Sequence, residues 1–544
     1  MATHAAEGPR HGAQALPEVA RELGLRPDEW EPFGGQVAKL NLRVLDRIAG
    51  QPQGRYIVVT TTTPTRLGEG KTVVTIGLAQ ALRRRGHRVT ATLRQPALAP
   101  YLGRTGGASG GGLARLAVTE RVNLHLTGDN HAVASAHNLL MAMVDNHIYR
   151  GNRLRLAPDG ILWRRVMDLN DRSLRRIVTH LDGEEGGATR ETGFDVLGTS
   201  EVMGILALAA DEHELRLRLG EIVVGLDKNG RMVRAEQIGA GDVMARLLAN
   251  AIRPNLVQTS EGGPCLMHTC PYADHSLGGN SVIADRVALG LSEFVVTEVG
   301  LGADCGAEKM VHIKCQASGL RPAMVVLVTT VRSLKVHSGF GLAEQQQDAL
   351  RAVQAGCCNL AHHLGVLRRF GIPVVVAINR YAGDTDAECR VIFDEAEKEG
   401  AVASVEVDVF QRGGAGGMDL ARVVELAARR APALRPCYGA QERVVDKIAA
   451  VARKVYGAGE IALAPAAQSM LDIIEKAGLG HLPVCIAKTS LSLSHVAGLR
   501  GTPRGFTLPI SKVRPAAGAG YIVAETPHAR HMPGLPEVPA VDLE

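Results

Sequence analysis

The sequence predicts an α/β fold, with a parallel-sheet domain, a second α/β domain and a smaller mixed C-terminal domain. Three observations carry this. The stretch from Arg55 to Leu93 reads strand, turn, helix, strand, which is the unit of a parallel sheet. The run IPVVVAIN, residues 372–379, is apolar throughout, as strands buried on both faces are. The chain has 544 residues. One hydrophobic core stops growing at roughly 250–300 residues, so two or three domains are expected.

The elements follow in chain order. The opening residues are small and polar, and 1–16 is expected to be a disordered segment. Short helices are expected over 17–48. Arg55–Thr62 is a β-branched run and reads as a buried strand. Gly70–Arg85 reads as a helix and His87–Leu93 as a second strand. GRTGGASGGG, residues 103–112, breaks the alternation. His131–His147, rich in Ala, Leu and Met, reads as a helix. Further strands are predicted at Glu293–Glu298, Ala323–Thr330 and Ile372–Asn379, with helices over about 343–369 and 385–400. After Pro436 a helix runs to about Val455. Short strands at 482–487, 505–511 and 519–525 make the mixed end, and the tail HMPGLPEVPAV is proline-rich and extended. The expected domains are 17–356, 357–457 and 458–544.

Composition narrows the function classes. The net charge of +5 is mild for this length. Basic clusters with interleaved aromatics are missing, so no nucleic-acid partner is expected. Arg83, Arg84 and Arg85 end a predicted helix, where cations suit the negative end of the dipole. The nine cysteines form no C-x-x-C pair, which argues against a zinc ribbon, a redox motif or a disulfide framework. Cys265, His268 and Cys270 lie close together but are too few for a metal site. MATHAAEGPRHGAQAL has no apolar core of a secretory signal, and no apolar run reaches the roughly 18 residues that span a membrane. A cytoplasmic protein with small-molecule partners is expected.

TPTRLGEGKT, Thr63–Thr72, lies between the first strand and its helix. It fits the phosphate-loop pattern G-x-x-x-x-G-K-[ST] except at Thr65, where the first glycine would stand. Gly68 and Gly70 can take backbone angles closed to other residues, so consecutive N–H groups can turn around an anion. The helix start adds its positive end. Lys71 can reach a β- or γ-phosphate and the Thr72 hydroxyl can ligate Mg²⁺. The nucleotide-binding candidates are therefore Thr65, Arg66, Leu67, Gly68, Glu69, Gly70, Lys71 and Thr72, and the first domain is P-loop-containing.

Other residues carry chemistry outside the loop. Arg94 ends a strand, and a fixed guanidinium can grip a carboxylate or acyl phosphate in two places; the plain alternative is a surface ion pair. Asp129 precedes an apolar helix and could cap it, bind Mg²⁺ through water, or do both. Asp304 and Glu308 follow a strand, where open α/β sheets bind ligands. Tyr381 and Phe410 follow strand-like runs in a chain poor in aromatics. They could sandwich a flat ring or simply pack in the core.

Taken in order, TPTRLGEGKTVVTIGLAQAL, LRQPALAP, GGASGGG, NLHLTGDNHAVASAHNLLMAMVDNHIYRGN, NLVQTSEGGP, FVVTEVGLGADCGAEK, TTVRSLKVHSG, PVVVAINRYAGDT, LPVCIAKTSLSLS, VRPAAGAGYIVAE and MPGLPEVPA resemble the formate–tetrahydrofolate ligases. The resemblance runs over nearly the whole chain from about residue 17. It implies transfer of the ATP γ-phosphoryl group to formate, then attack by tetrahydrofolate on formyl phosphate to give 10-formyltetrahydrofolate, ADP and phosphate. It implies Lys71 and Arg94 as catalytic residues, Arg94 holding the formyl phosphate. It implies Tyr381 and Phe410 against the pterin, where the family has a Phe and a Trp, and the glycine stretch beside the site. It also implies Thr65 as the family residue at its position, and a homotetramer.

The chain departs from the family at several positions. REPSLGP reads RQPALAP, so Gln95 replaces a glutamate associated with a monovalent cation, and Ala97 replaces a serine. Losing a charge about 4 Å from a cation removes roughly 4 kcal/mol of attraction at an effective dielectric of ~20, so activation by potassium or ammonium is not expected. WAKGGEGG reads FQRGGAGG, which brings in Phe410 and Ala415. Glu406 stands where an apolar residue is usual, and Leu113 where a tyrosine is. The alternative to the ligase is a nucleotide-binding paralogue with weak or no ligase activity, or a ligase acting on another small carboxylate or acceptor.

Overall fold

The computed structural model describes residues 14–103, 108–117, 120–181, 189–428, 434–527, 529 and 531–539. Most of the expected disordered segment 1–16 lies outside these residues, as do Gly106 and Gly107 of the glycine stretch; Leu16 opens the helix Leu16–Leu23.

One sheet of ten strands organises the chain. Its strands are β1 (Trp30–Pro32), β2 (Ala38–Leu40), β3 (Arg55–Thr61), β4 (Val89–Leu93), β5 (Asn255–Gln258), β6 (Pro264–Met267), β7 (Phe294–Gly302), β8 (Met324–Thr329), β9 (Val374–Asn379) and β10 (Ala403–Val407). Across the sheet they run β1-β2-β5-β6-β4-β7-β3-β8-β9-β10. All neighbours from β6 to β10 are parallel. The edge strands β1, β2 and β5 pair antiparallel.

The apolar runs bury both faces of this sheet. On β9, Val374, Val376 and Ile378 face one core cluster and Val375 and Ala377 the other. On β3, Val58 joins the first cluster and Ile57 and Val59 the second. The helix Lys71–Arg84 covers the second face through Val74, Ile76 and Leu78. The helix Ala349–Arg369 covers the first through Leu360, Leu364 and Leu367. This alternation is the period-2 geometry of strands.

Several expectations are corrected. Residues 17–48 are not helical throughout: helices Leu16–Leu23 and Arg43–Ile48 flank the β1–β2 hairpin. Gly34 in its turn has φ +78°, and β2 is held by pairing with β5, a contact remote in sequence. The helix expected over 343–369 is two helices, because Asp348 leaves helical angles to cap Ala349–Arg369 through the Arg351 N–H at 3.0 Å. Strand Lys512–Ala516 was not anticipated. The expected boundary at 356/357 falls inside the helix Ala349–Arg369, and β9 and β10 continue the sheet that holds β3. The C-terminal strands form separate small sheets, although Val484, Ile486 and Ile522 share the first core cluster.

Arg83, Arg84 and Arg85 each find an acid, Glu22, Glu261 and Glu425 respectively. His268 is buried, with its ring nitrogens at 2.7 Å from Ser281 Oγ and 2.6 Å from the Ala251 carbonyl. Among the described residues, no helix is long and apolar enough to cross a membrane.

Candidate active site at the switch point of the sheet

From β3 the chain lays β4 to one side, returns β7 to the gap between them, and then places β8 on the other side of β3. Open α/β sheets bind ligands at such a reversal, outside the carboxyl ends of the strands. Thr63–Gly70 leaves β3 there, Glu298 is the last residue of β7 in continuous register with β3, and Arg94 directly follows β4.

The loop is built to hold its shape. Gly68 and Gly70 have φ of +73° and +72°. A Cβ on Gly70 would lie 2.4 Å from Asn379 Nδ2, so only glycine fits. Asn379 Nδ2 donates to the Glu69 carbonyl at 3.0 Å. Glu69 itself turns inward: its carboxylate accepts from the Thr65 N–H at 2.7 Å and from Thr330 Oγ1 at 2.5 Å. Glu69 is thus a strut of the loop, and it holds Thr65 where the pattern would have glycine. Leu67 and Arg66 are exposed at the tip. No side chain caps the helix Lys71–Arg84, so its first N–H groups remain for an anion.

Three predicted residues converge on one carboxylate. Lys71 Nζ donates to Glu298 Oε2 at 2.5 Å, and Thr72 Oγ1 donates to the same oxygen at 2.7 Å. Arg94 Nε lies 3.6 Å from Glu298 Oε1. Gly300 makes room for Arg94, since a Cβ there would come within 2.9 Å of the guanidinium. Arg94 is no plain surface pair: its Nε is buried without a hydrogen-bond partner among the described residues. Burial by itself would push the Glu298 carboxyl up, but Lys71 and Arg94 beside it bring it down to about 2. Burial lowers Lys71, against the pull of Glu298.

Glu298 was missed as a site residue, although it ends the predicted strand Glu293–Glu298. The signal was available. P-loop enzymes carry an acid at the end of a separate strand that shares Mg²⁺ with the loop Ser or Thr.

A family model described as formate–tetrahydrofolate ligase matches residues 8–543. The chain belongs to the formate–tetrahydrofolate ligase family. It is 47% identical to the formate–tetrahydrofolate ligase of Paracoccus denitrificans (strain Pd 1222) over 97% of this chain and 95% of that one. It is 48% identical to that of Roseiflexus sp. (strain RS-1), covering 96% and 94%. It is 44% identical to that of Desulforamulus reducens, covering 98% and 96%.

The aromatic pair of this formate–tetrahydrofolate ligase family member stands at the ends of neighbouring strands, Tyr381 after β9 and Phe410 after β10. They are 40% and 49% exposed, so neither is core packing. The described part of the glycine stretch lies against Phe410. The Leu113 N–H donates to the Phe410 carbonyl at 2.8 Å, and a Cβ on Gly112, at φ +57°, would lie 2.1 Å from that oxygen. Glu406 pairs with Arg380 at 2.8 Å.

Other candidates are drawn elsewhere. Asp129 caps nothing: Gly128 is the N-cap, and no side chain bonds there. Its carboxylate accepts from Lys39 Nζ at 2.6 and 2.8 Å and from Asn255 Nδ2 at 2.8 Å. Asp304 pairs with Lys488 at 2.8 Å and Glu308 with His312 at 3.0 Å, all four buried. The Asp304–Glu308 turn therefore faces inward. Gln95 donates through Nε2 to Asn130 Oδ1, and its own Oε1 has no hydrogen-bond partner among the described residues.

Proposed function

We propose that this protein joins formate to tetrahydrofolate, driven by ATP, through formyl phosphate. The observation that carries the reading is the convergence of Lys71, Thr72 and Arg94 on Glu298 at the switch point. The loop N–H groups and Lys71 hold the β- and γ-phosphates, and Arg94 holds the formate carboxylate. A formate oxygen attacks the γ-phosphorus while the bond to the ADP oxygen breaks. Positioning and charge stabilisation carry such a transfer. The amine of tetrahydrofolate, stacked between Tyr381 and Phe410, then attacks the formyl carbon, and phosphate leaves.

The Thr72 hydroxyl and the Glu298 carboxylate are hard oxygens 2.7 Å apart. They suit Mg²⁺, which takes one or two carboxylates plus substrate phosphates and would neutralise charge on the phosphates. Asp129, already paired with Lys39, would serve a hydrated Mg²⁺ only by giving up that pair. The protein acts in the cytoplasm on small molecules, with no nucleic-acid or membrane partner, as a homotetramer. A non-catalytic nucleotide-binding paralogue, or a ligase with another carboxylate or acceptor, is less favoured, because the charged set for phosphoryl transfer to a carboxylate is complete.

The test is an assay with MgATP, formate and tetrahydrofolate, stopped with acid and read as methenyltetrahydrofolate absorbance. Product is expected only when all three substrates are present. Potassium is expected to leave the rate unchanged, since Gln95 puts a neutral amide where the family has a carboxylate. Product without formate, or none with MgATP bound, would overturn the ligase reading. Phe410→Ala is expected to raise the tetrahydrofolate concentration needed by about two- to tenfold, the size of one lost stack, and to leave the ATP requirement alone. An unchanged tetrahydrofolate requirement would remove Phe410 from the folate side.

A further inference from the structure

Tyr381 does not stand apart from the phosphate loop. Its hydroxyl lies 4.0 Å from the point a Cβ on Gly70 would occupy. Its backbone N–H donates to the Asp384 carboxylate at 2.8 Å. One face of the ring carries the Arg332 guanidinium, 4.8 Å above the centroid. Arg332 Nη2 donates to the Gly68 carbonyl at 2.5 Å and lies 3.5 Å from the Tyr381 hydroxyl. The same nitrogen is 3.8 Å from the Glu69 carboxylate. The Arg332 Nε–H is buried with no hydrogen-bond partner among the described residues. Arg332 sits in the first turn of the helix Val331–His337, whose N-cap, Thr330, also bonds Glu69. One guanidinium thus touches the loop backbone, the loop acid and the aromatic ring.

We propose that Arg332 and the Tyr381 hydroxyl form a link between the nucleotide loop and the folate-side ring, so that filling the loop raises the affinity of the ring's free face for a flat heterocycle. This rests on the folate reading of Tyr381 given above. Both side chains are partly exposed and must be ordered before the ring can stack. An anion in the loop fixes Gly68–Gly70 and, through the Gly68 carbonyl that Nη2 bonds, fixes the guanidinium and the ring beneath it. A heterocycle arriving second then loses less freedom, which gives positive coupling without a change of fold. Arg332 is a positioning residue in this scheme, acting through the loop and through Tyr381.

The experiment measures the Kd for tetrahydrofolate with and without saturating MgADP, and hydrogen exchange of a peptide covering 380–385 in the same two states. MgADP is expected to tighten tetrahydrofolate at least about fivefold in the wild type, the lower end for coupled sites, and to slow exchange of the peptide. In Arg332→Gln both responses are expected to vanish. Arg332→Lys is expected to behave the same way, because an ammonium cannot lie flat on a ring and bond two groups at once. Tyr381→Phe keeps the ring, the loop and Arg332, and is expected to bring the ratio of affinities towards one; it keeps the test valid should Arg332→Gln fail to hold nucleotide. A ratio of one in the wild type, or a wild-type ratio in Tyr381→Phe, would overturn the link. Should tetrahydrofolate fail to bind at all while MgADP still slows exchange in the wild type but not in Arg332→Gln, the link stands and the folate reading falls.

Discussion

Lys71→Ala is expected to lower formate-dependent ATP cleavage by about 10²–10³-fold, the cost of removing one preorganised charge from a transition state. Two losses combine. The γ-phosphoryl group loses its cation, and Glu298 loses the partner that bonds it at 2.5 Å. The carboxylate then faces the incoming phosphates with only Arg94 and Thr72 against it. Glu298→Gln added to Lys71→Ala is therefore expected to restore part of the affinity for nucleotide without Mg²⁺, while leaving cleavage low. Phosphate release and equilibrium nucleotide binding, measured on both variants, separate the two effects. Normal turnover in Lys71→Ala would remove the loop from the reaction.

The same substitution has a signature in acid. Glu298 is held at about 2, well below its ordinary value. A depressed carboxyl contributes stability that is present above its unfolded value and is lost as pH falls through the folded one. That contribution shrinks without Lys71, so the acid limb of the stability curve is expected to move to higher pH in Lys71→Ala.

Lys488→Met is expected to destabilise the fold by about 3–5 kcal/mol, the range for breaking a buried ion pair from one side. Lys488 Nζ donates to Asp304 at 2.8 Å and to the carbonyls of Thr489 and Ser492 at 3.0 and 2.7 Å. It also lies 4.7 Å over the Tyr456 ring. The pair fastens the segment after strand Val484–Ala487 to the turn that follows β7. Burial pushes the Asp304 carboxyl up and Lys488 more than offsets it, so the carboxyl is lowered. Its stabilising contribution is therefore present at neutral pH and lost as pH falls through the lowered value. With Lys488 gone, the deficit is expected to be largest at neutral pH and to shrink in acid, where Asp304 takes a proton. Urea unfolding at two pH values measures this. Adding Asp304→Leu is expected to recover much of the loss, because the orphaned charge then disappears. An unchanged unfolding midpoint in Lys488→Met would show that the pair fastens nothing.

The strands β3, β4, β7, β8 and β9 and the loop helix were legible because their signals are local. A β-branched run buries itself on two faces whatever its neighbours are. The hairpin β1–β2 was not legible, since its second strand is held by β5, more than 200 residues further on. The break at Asp348 was lost for a smaller reason: one capping side chain outweighed a helical pattern that reads as continuous. That Asp129 caps nothing was not legible either, because its partner, Lys39, is 90 residues away.

The sequence alone determined the phosphate loop, because its cradle is made by consecutive residues. The glycines set the backbone, Lys71 and Thr72 follow directly, and the helix dipole comes from the next turns. It also determined the family through an ordered set of motifs. Only the tertiary structure decided what those residues meet. Glu298 stands 226 residues beyond Thr72 and reaches it because β7 pairs parallel with β3, with Glu298 opposite Val59. Arg332 reaches Gly68 and Tyr381 for the same reason, since β8 and β9 lie beside β3 in turn. Local backbone preference is written in neighbouring residues. The meeting of charges is set by strand order, which no short stretch of sequence encodes.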